Sequence, residues 1–149
     1  MKQNFQQTPF RQNGMAAVEF ALIASLFFAV LFGIIEIGRV LYYLNAATEA
    51  TRLGARVAVV CDMNAPAIKT RMQSMLSILT NASISVVYLP DGCNQTTCET
   101  VTVSIVPNSL TVNTFIPFIP FSVKMPSFSS TLPRESLSST AYGTNALCN

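Results

Sequence analysis

The chain has 149 residues, half of them hydrophobic, a formal net charge of +2 and no histidine. That length leaves room for one membrane span and one modest domain, and the weak, scattered charge, with no Lys/Arg cluster or aromatic-interleaved basic strip, excludes nucleic acid as a partner. Without histidine the usual general base is missing, and no GxSxG, glycine-rich phosphate loop or carboxylate cluster replaces it, so the sequence reads as a non-enzyme with no catalytic residue and no cofactor.

Residues 1–13 are polar and Gln/Asn-rich, with Pro9 discouraging helix, and read as a leader. From Met15 to Ile35 the only charge is Glu19, and this run reaches the roughly 20 residues that cross a bilayer core of about 30 Å. It is too long for a secretory h-region and no small-x-small site closes it. A helix buried on all sides of a soluble core would need a longer chain. Lys2 and Arg11 precede the run with no acidic residue before Glu19, which keeps the N-terminus cytoplasmic, although Arg39, Arg52 and Arg56 make the following flank basic too.

The helical pattern continues without proline to about Val60, a rod of roughly 69 Å at about 1.5 Å per residue. Its second half must therefore project into water or pack on an exported domain. Glu36 and Arg39 stand three apart, and Glu49, Arg52 and Arg56 form one solvated stripe. Small residues recur at every fourth position: Ala17, Ala21, Ser25, Ala29 and Gly33, then Ala46, Ala50, Gly54 and Ala58. Such rows let helix backbones approach closely in lipid, and both are read as parts of a helix–helix contact face.

Asp62 to Pro66 breaks the helix, and Pro66 opens a second amphipathic segment with Ile68, Met72, Met75, Leu76 and Leu79 as an apolar, core-filling stripe. Beyond Asn81 the period becomes two. Ser83–Leu89 and Glu99–Val106 read as strands joined by a Pro-Asp-Gly turn and the Cys93–Cys98 loop, with Leu110–Phe115 a third strand. Phe115–Phe121 (FIPFIPF) reads as an extended apolar connector packed over the sheet, and Ser127–Leu132 and Ser136–Tyr142 as weak final strands. The fold class is therefore α+β: a leader (1–14), a transmembrane and extended helix (15–60), and a small exported domain (61–149) with a short helix and an antiparallel sheet. All four cysteines, Cys61, Cys93, Cys98 and Cys148, lie beyond the span. On an oxidising side they allow two disulfides in three connectivities, Cys93 and Cys98 being the nearest local pair. No CxxC pair or histidine supports a metal site.

The most informative constellation opens the span: Gly14, then Met15-Ala16-Ala17-Val18, then Glu19-Phe20. A carboxylate at the centre of a membrane helix costs about 2.5–3.5 kcal/mol on insertion scales; near the N-terminal end the cost falls and the helix dipole favours the negative charge. Two readings follow. Glu19 is an interfacial residue facing headgroups, or cleavage after Gly14 creates an α-amine on Met15, on the same helix face as Glu19, for pairing within or between subunits.

Gly14 followed by Glu at the fifth position and Phe, ahead of one long apolar helix, resembles the processing site of type IV pilin-like proteins. The blocks GMAAVEFALIASLFFAVLFGIIEIGR (Gly14–Arg39) and AATEATRLGARVAV (Ala46–Val59) are similar in order and spacing to the N-terminal signature of the TadE-like family, pseudopilins of the Tad (Flp) tight-adherence pilus system. The resemblance covers about one-third of the chain. Members often carry Pro six residues after the Glu, where this chain has Ser25. The resemblance implies that a prepilin peptidase cuts Gly14–Met15 on the cytoplasmic face of the inner membrane and that Glu19 and Phe20 serve processing or assembly. Ala21, Ser25, Ala29 and Gly33 would contact other pilin-like subunits and the pilus assembly machinery, with the C-terminal domain periplasmic. An uncleaved bitopic protein with an exported partner-binding domain is the alternative of a different class. A type II secretion pseudopilin shares the cleavage logic and is told apart by its neighbouring genes.

Overall fold

The computed structural model describes residues 13–115, 122–141, 143 and 145–148. The leader up to Gln12, including Lys2 and Arg11, most of the FIPFIPF connector, and Tyr142 lie outside the described residues. The first element, α1, is a helix over Asn13–Val60, two residues longer at its start than the sequence pattern indicates. The chain divides into two units, Met1–Ile37 and Gly38–Asn149.

The described part of the first unit is helix alone. Its apolar side chains are exposed, from Met15 (71%) and Phe20 (73%) to Ile37 (64%). Nothing in its described part breaks the helix: there is no proline between Asn13 and Ile37, and the one hydroxyl there, Ser25 Oγ, donates back to the Leu22 carbonyl at 2.9 Å.

The second unit is an α+β fold with its core on the last turns of α1. Ala47, Ala50, Thr51, Ala55, Val57, Ala58 and Val59 are all at most 3% exposed. The buried Thr51 hydroxyl is satisfied by the Thr48 carbonyl at 2.7 Å. After Val60 the chain turns through Asn64, whose φ of 60° suits an asparagine. Pro66, with no N–H to leave unsatisfied, opens α2 (Pro66–Met75). Ile68 and Met72 of α2 are fully buried, and Leu76 and Leu79 just after it nearly so. Met75 differs from the expected stripe: it is 44% exposed, because α2 ends there and Leu76 turns inward instead. A single 3-10 turn over Asn81–Ser83, closed by a Thr80–Ser83 capping box, leads into the sheet.

Strands β1 (Ile84–Leu89), β2 (Thr100–Ile105) and β5 (Phe128–Pro133) form an antiparallel sheet in the order β1-β2-β5, whereas β3 (Thr111–Asn113) and β4 (Ser122–Lys124) pair in a separate two-stranded ladder. Val101, Val103 and Ile105 alternate inward along β2 at 0–1% exposure. The segment at 110–115 is thus strand only over three residues and does not join the main sheet. The pattern at Ser136–Tyr142 does not make a strand in its described part. Leu137 has φ 44° and its N–H bonds to the Val59 carbonyl at 3.0 Å, so the backbone there caps the end of α1 rather than a strand edge.

Both disulfides lie in this unit: Cys61–Cys148, with Cα atoms 5.4 Å apart, and Cys93–Cys98, at 4.9 Å. The smaller one closes the β1–β2 connection, where Gly92 adopts φ 75° and Asn94 Oδ1 accepts from the N–H groups of Thr96 and Thr97.

Candidate functional site

Helical geometry sets the opening of α1. Gly14 lies in its first turn with open space where a Cβ would stand, and Met15, Glu19 and Phe20 are all exposed. Met15 and Glu19 are one turn apart and so share a face. The following apolar residues carry two ring contacts along the helix, Phe27–Phe28 at 5.5 Å and Phe28–Phe32 at 6.2 Å between centroids. The helix is long and apolar enough to cross a membrane, and among the described residues none of its most apolar window is buried. Ala21, Ser25 and Ala29 are exposed and Gly33 partly so, with no atom within 4 Å of an added Cβ at Gly33.

The second small-residue row behaves differently. Ala50 and Ala58 are 0% exposed, and an added Cβ on Gly54 would stand 2.5 Å from Met72 Sδ, 2.8 Å from Met72 Cγ and 3.1 Å from Val103 Cγ1. At Gly54 this row packs on the chain's own helix α2 and strand β2, so the contact found there is made within the chain. Glu49, Arg52 and Arg56 are exposed as the stripe requires, with Arg52 Nη1 3.3 Å from Glu49 Oε1. An exposed pair of this kind contributes little to stability.

Around the end of α1 the structure assembles a polar node that sequence spacing does not reveal. Asp62 Oδ1 accepts from the Ser139 N–H at 3.1 Å and from Gln95 Nε2 at 3.3 Å, while the Asp62 N–H donates to Ser139 Oγ at 3.1 Å. The backbone N–H of Ser139 foremost, then its hydroxyl and the Gln95 amide, hold the Asp62 carboxyl below its ordinary range, against a small opposing effect of burial. Arg134 Nη1 reaches the Gln95 carbonyl at 2.8 Å. Burial pushes the Tyr88 phenol up, partly countered by the Asn64 N–H that donates to it. Beside this node lies an open cleft of about 440 Å³ lined by Val60, Glu135, Ser136, Ser138, Ser139, Gly143 and Asn145. Its serines already serve the fold: Ser136 Oγ donates to the Val60 carbonyl at 3.0 Å and Ser139 binds Asp62. Among the described residues no group of three or more potential metal ligands occurs.

At the start of the second unit, the Arg39 guanidinium donates to the Asn113 carbonyl, beside a small hollow of about 140 Å³ formed with Tyr43, Ile78, Thr111 and Val112. Glu36 and Arg39, spaced as the sequence indicates, are both half-buried.

Comparison with known proteins identifies the N-terminal region. The family model described as TadE-like protein matches residues 14–56, from the glycine before the apolar run into the buried part of α1. No curated protein and no solved structure matches the chain.

Proposed function

We propose, from a chain that is TadE-like over residues 14–56, that this protein is a pilin-like minor subunit taking part in assembly of a Tad/Flp-type adhesive pilus. A prepilin peptidase cleaves it between Gly14 and Met15, and the apolar half of α1 then anchors it in the inner membrane with residues 38–149 in the periplasm. The observation that carries this reading is the composition of the matched block. It joins a glycine with open space around it, a carboxylate one turn further on, and a membrane-length helix whose apolar side chains are exposed among the described residues.

In this reading Gly14 lets the peptidase approach the scissile backbone closely, and the new Met15 amine and the Glu19 carboxylate pair on one helix face, within a subunit or across two. Phe20 and the row Ala21, Ser25, Ala29 and Gly33 meet neighbouring helices, where small side chains permit the close approach that drives association in lipid. The chain is the substrate of the peptidase and carries no catalytic role of its own. Its partners are the bilayer, the peptidase, similar subunits and the assembly machinery.

N-terminal sequencing and intact mass of the protein from its native host test the proposal. The expected chain begins at Met15, and Gly14→Trp leaves it uncleaved. A wild-type chain that stably retains Met1 favours the uncleaved bitopic alternative, and normal processing of Gly14→Trp removes Gly14 from the site.

A further inference from the structure

Of the four half-cystines, two are out of reach and two are not. Cys61 is 0% exposed and Cys98 1% exposed, whereas Cys93 and Cys148 are partly exposed. Each disulfide therefore joins one buried sulfur to one accessible one.

The segment that carries Cys148 is held at the end of α1 by contacts that do not need the disulfide. The Leu137 N–H bonds the Val59 carbonyl at 3.0 Å with its side chain fully buried, Ser136 Oγ bonds the Val60 carbonyl, Ser139 bonds Asp62, and the Arg71 guanidinium donates to the Ala146 carbonyl at 3.1 Å. These contacts bring Cys148 to Cys61 in the reduced chain as well.

We propose that the second unit is a client of thiol–disulfide exchange in which Cys148 is the entry sulfur and Cys61 the resolving sulfur, with Cys93 and Cys98 dividing the same roles in the smaller loop. The oxidant is a dithiol–disulfide oxidoreductase, or a small-molecule disulfide acting in its place. The Cys148 thiolate attacks one sulfur of the oxidant's disulfide, forming a mixed disulfide and releasing the other sulfur as a thiolate that takes up a proton. The Cys61 thiolate then attacks Cys148 Sγ, the Cys61–Cys148 bond forms, and the oxidant leaves as the dithiol. Two cysteines have lost two electrons and two protons, and the oxidant has gained them.

The two pairings are nested, Cys61–Cys148 enclosing Cys93–Cys98, and the contacts of Ser136, Leu137 and Ser139 with the end of α1 and of Ala146 with Arg71 favour Cys148 as the partner of Cys61.

The inference rests on the reading that residues 38–149 reach an oxidising compartment, and the two fail separately. Free thiols at all four positions in protein from the native host would defeat that reading. Native disulfides followed by the wrong order of exchange would defeat this one alone.

The test reduces the wild-type protein in detergent micelles, starts reoxidation with oxidised glutathione, quenches with acid and maps glutathione adducts by peptide mass spectrometry. Adducts at Cys148 and Cys93 are expected to exceed those at Cys61 and Cys98 by roughly tenfold, the discrimination that burial imposes on thiol access. Equal labelling, or adducts mainly at Cys61, overturns the proposal. Two variants give a second measurement. Cys61→Ser, which leaves Cys148 free, should react with glutathione about tenfold faster than Cys148→Ser. Both variants lack the same disulfide, so instability shared by the two does not create the difference, and equal rates count against the assignment.

Discussion

Gly54 is the position where a single methyl group tests the packing of α1 on the rest of its unit. In Gly54→Ala the new Cβ would stand 2.5 and 2.8 Å from Met72 Sδ and Cγ and 3.1 Å from Val103 Cγ1, so something must move. Met72 and Val103 are both 0% exposed, and the closer contacts fall on the middle of the Met72 side chain rather than its tip, so the strain spreads into a filled core. Overpacking of this kind costs about 1–3 kcal/mol. Replacing glycine by alanine inside a helix returns about 1 kcal/mol. The net expectation is a loss of about 1 kcal/mol, which at a slope of about 2 kcal/mol/M lowers the urea midpoint by roughly 0.5 M. The assay is urea unfolding of the protein in micelles followed by tyrosine fluorescence, since the chain has no tryptophan. Gly38→Ala, where an added Cβ meets nothing within 4 Å, is the control and should be neutral or stabilising. Met72→Ala should cost less in the Gly54→Ala background than alone, because the methyl occupies part of the cavity. If Gly54→Ala stabilises as Gly38→Ala does and shows no coupling to Met72→Ala, the close approach argued here is wrong.

Glu19→Ala should leave membrane insertion intact but reduce incorporation into assembled structures, measured by co-purification with the other subunits; unaltered assembly would remove Glu19 from the site. Asp62, whose carboxyl titrates below its ordinary 3.8 in the folded chain, contributes stability that is fully present above that value and is lost as the pH falls through the lower folded value. Acid unfolding of Asp62→Asn should therefore be less steep below about pH 4 than that of the wild type, and identical acid limbs would refute the role of the Ser139–Asp62–Gln95 node. Loop-closure entropy ranks the disulfides: removing Cys61–Cys148, at a sequence separation of 87, should cost about 4.6 kcal/mol, and removing Cys93–Cys98 about 2.2 kcal/mol. Denaturant midpoints of the two double-serine variants check the order, and a larger loss from the smaller loop would contradict it.

Periodicity made the helices and the central hairpin legible. The absence of proline from Met15 to Val60, Pro66 at a helix start, and alternation along Ile84–Leu89 and Thr100–Ile105 are local signals, and the elements follow them. Pairings that depend on distant residues were not legible. Thr111–Asn113 finds Ser122–Lys124 rather than the main sheet, and no period marks a three-residue strand. The Ser136–Tyr142 pattern alternates as a strand would, but Leu137 takes a positive φ and buries itself against the end of α1, where the unsatisfied Val59 and Val60 carbonyls accept bonds from it and from Ser136. The serines of this segment therefore serve a helix terminus, a demand invisible without the fold. At the candidate site the order Gly14, Glu19, Phe20 could be read directly from the chain. The node around Asp62 could not, since its members lie 33 and 77 residues away in sequence.

The two small-residue rows of α1 carry the same spacing into different surroundings, and the difference bears on what the first row is for. A glycine inside a helix costs about 0.5–1 kcal/mol relative to alanine, so its presence calls for something that the missing methyl permits. At Gly54 that something is in hand: Met72 and Val103 fill the space. At Gly33 nothing among the described residues comes within 4 Å of the Cβ position, and the apolar side chains around it, Val30, Ile34 and Ile37, are all more than half exposed. Lipid alone gives no reason to prefer glycine, because acyl chains adapt to a methyl group without strain. A helix backbone does give one, since only small residues let two backbones approach within contact distance in a medium where apolar burial supplies no drive. The first row thus has the form of the second with its partner removed, and in the function proposed above a neighbouring subunit is the surface that completes it.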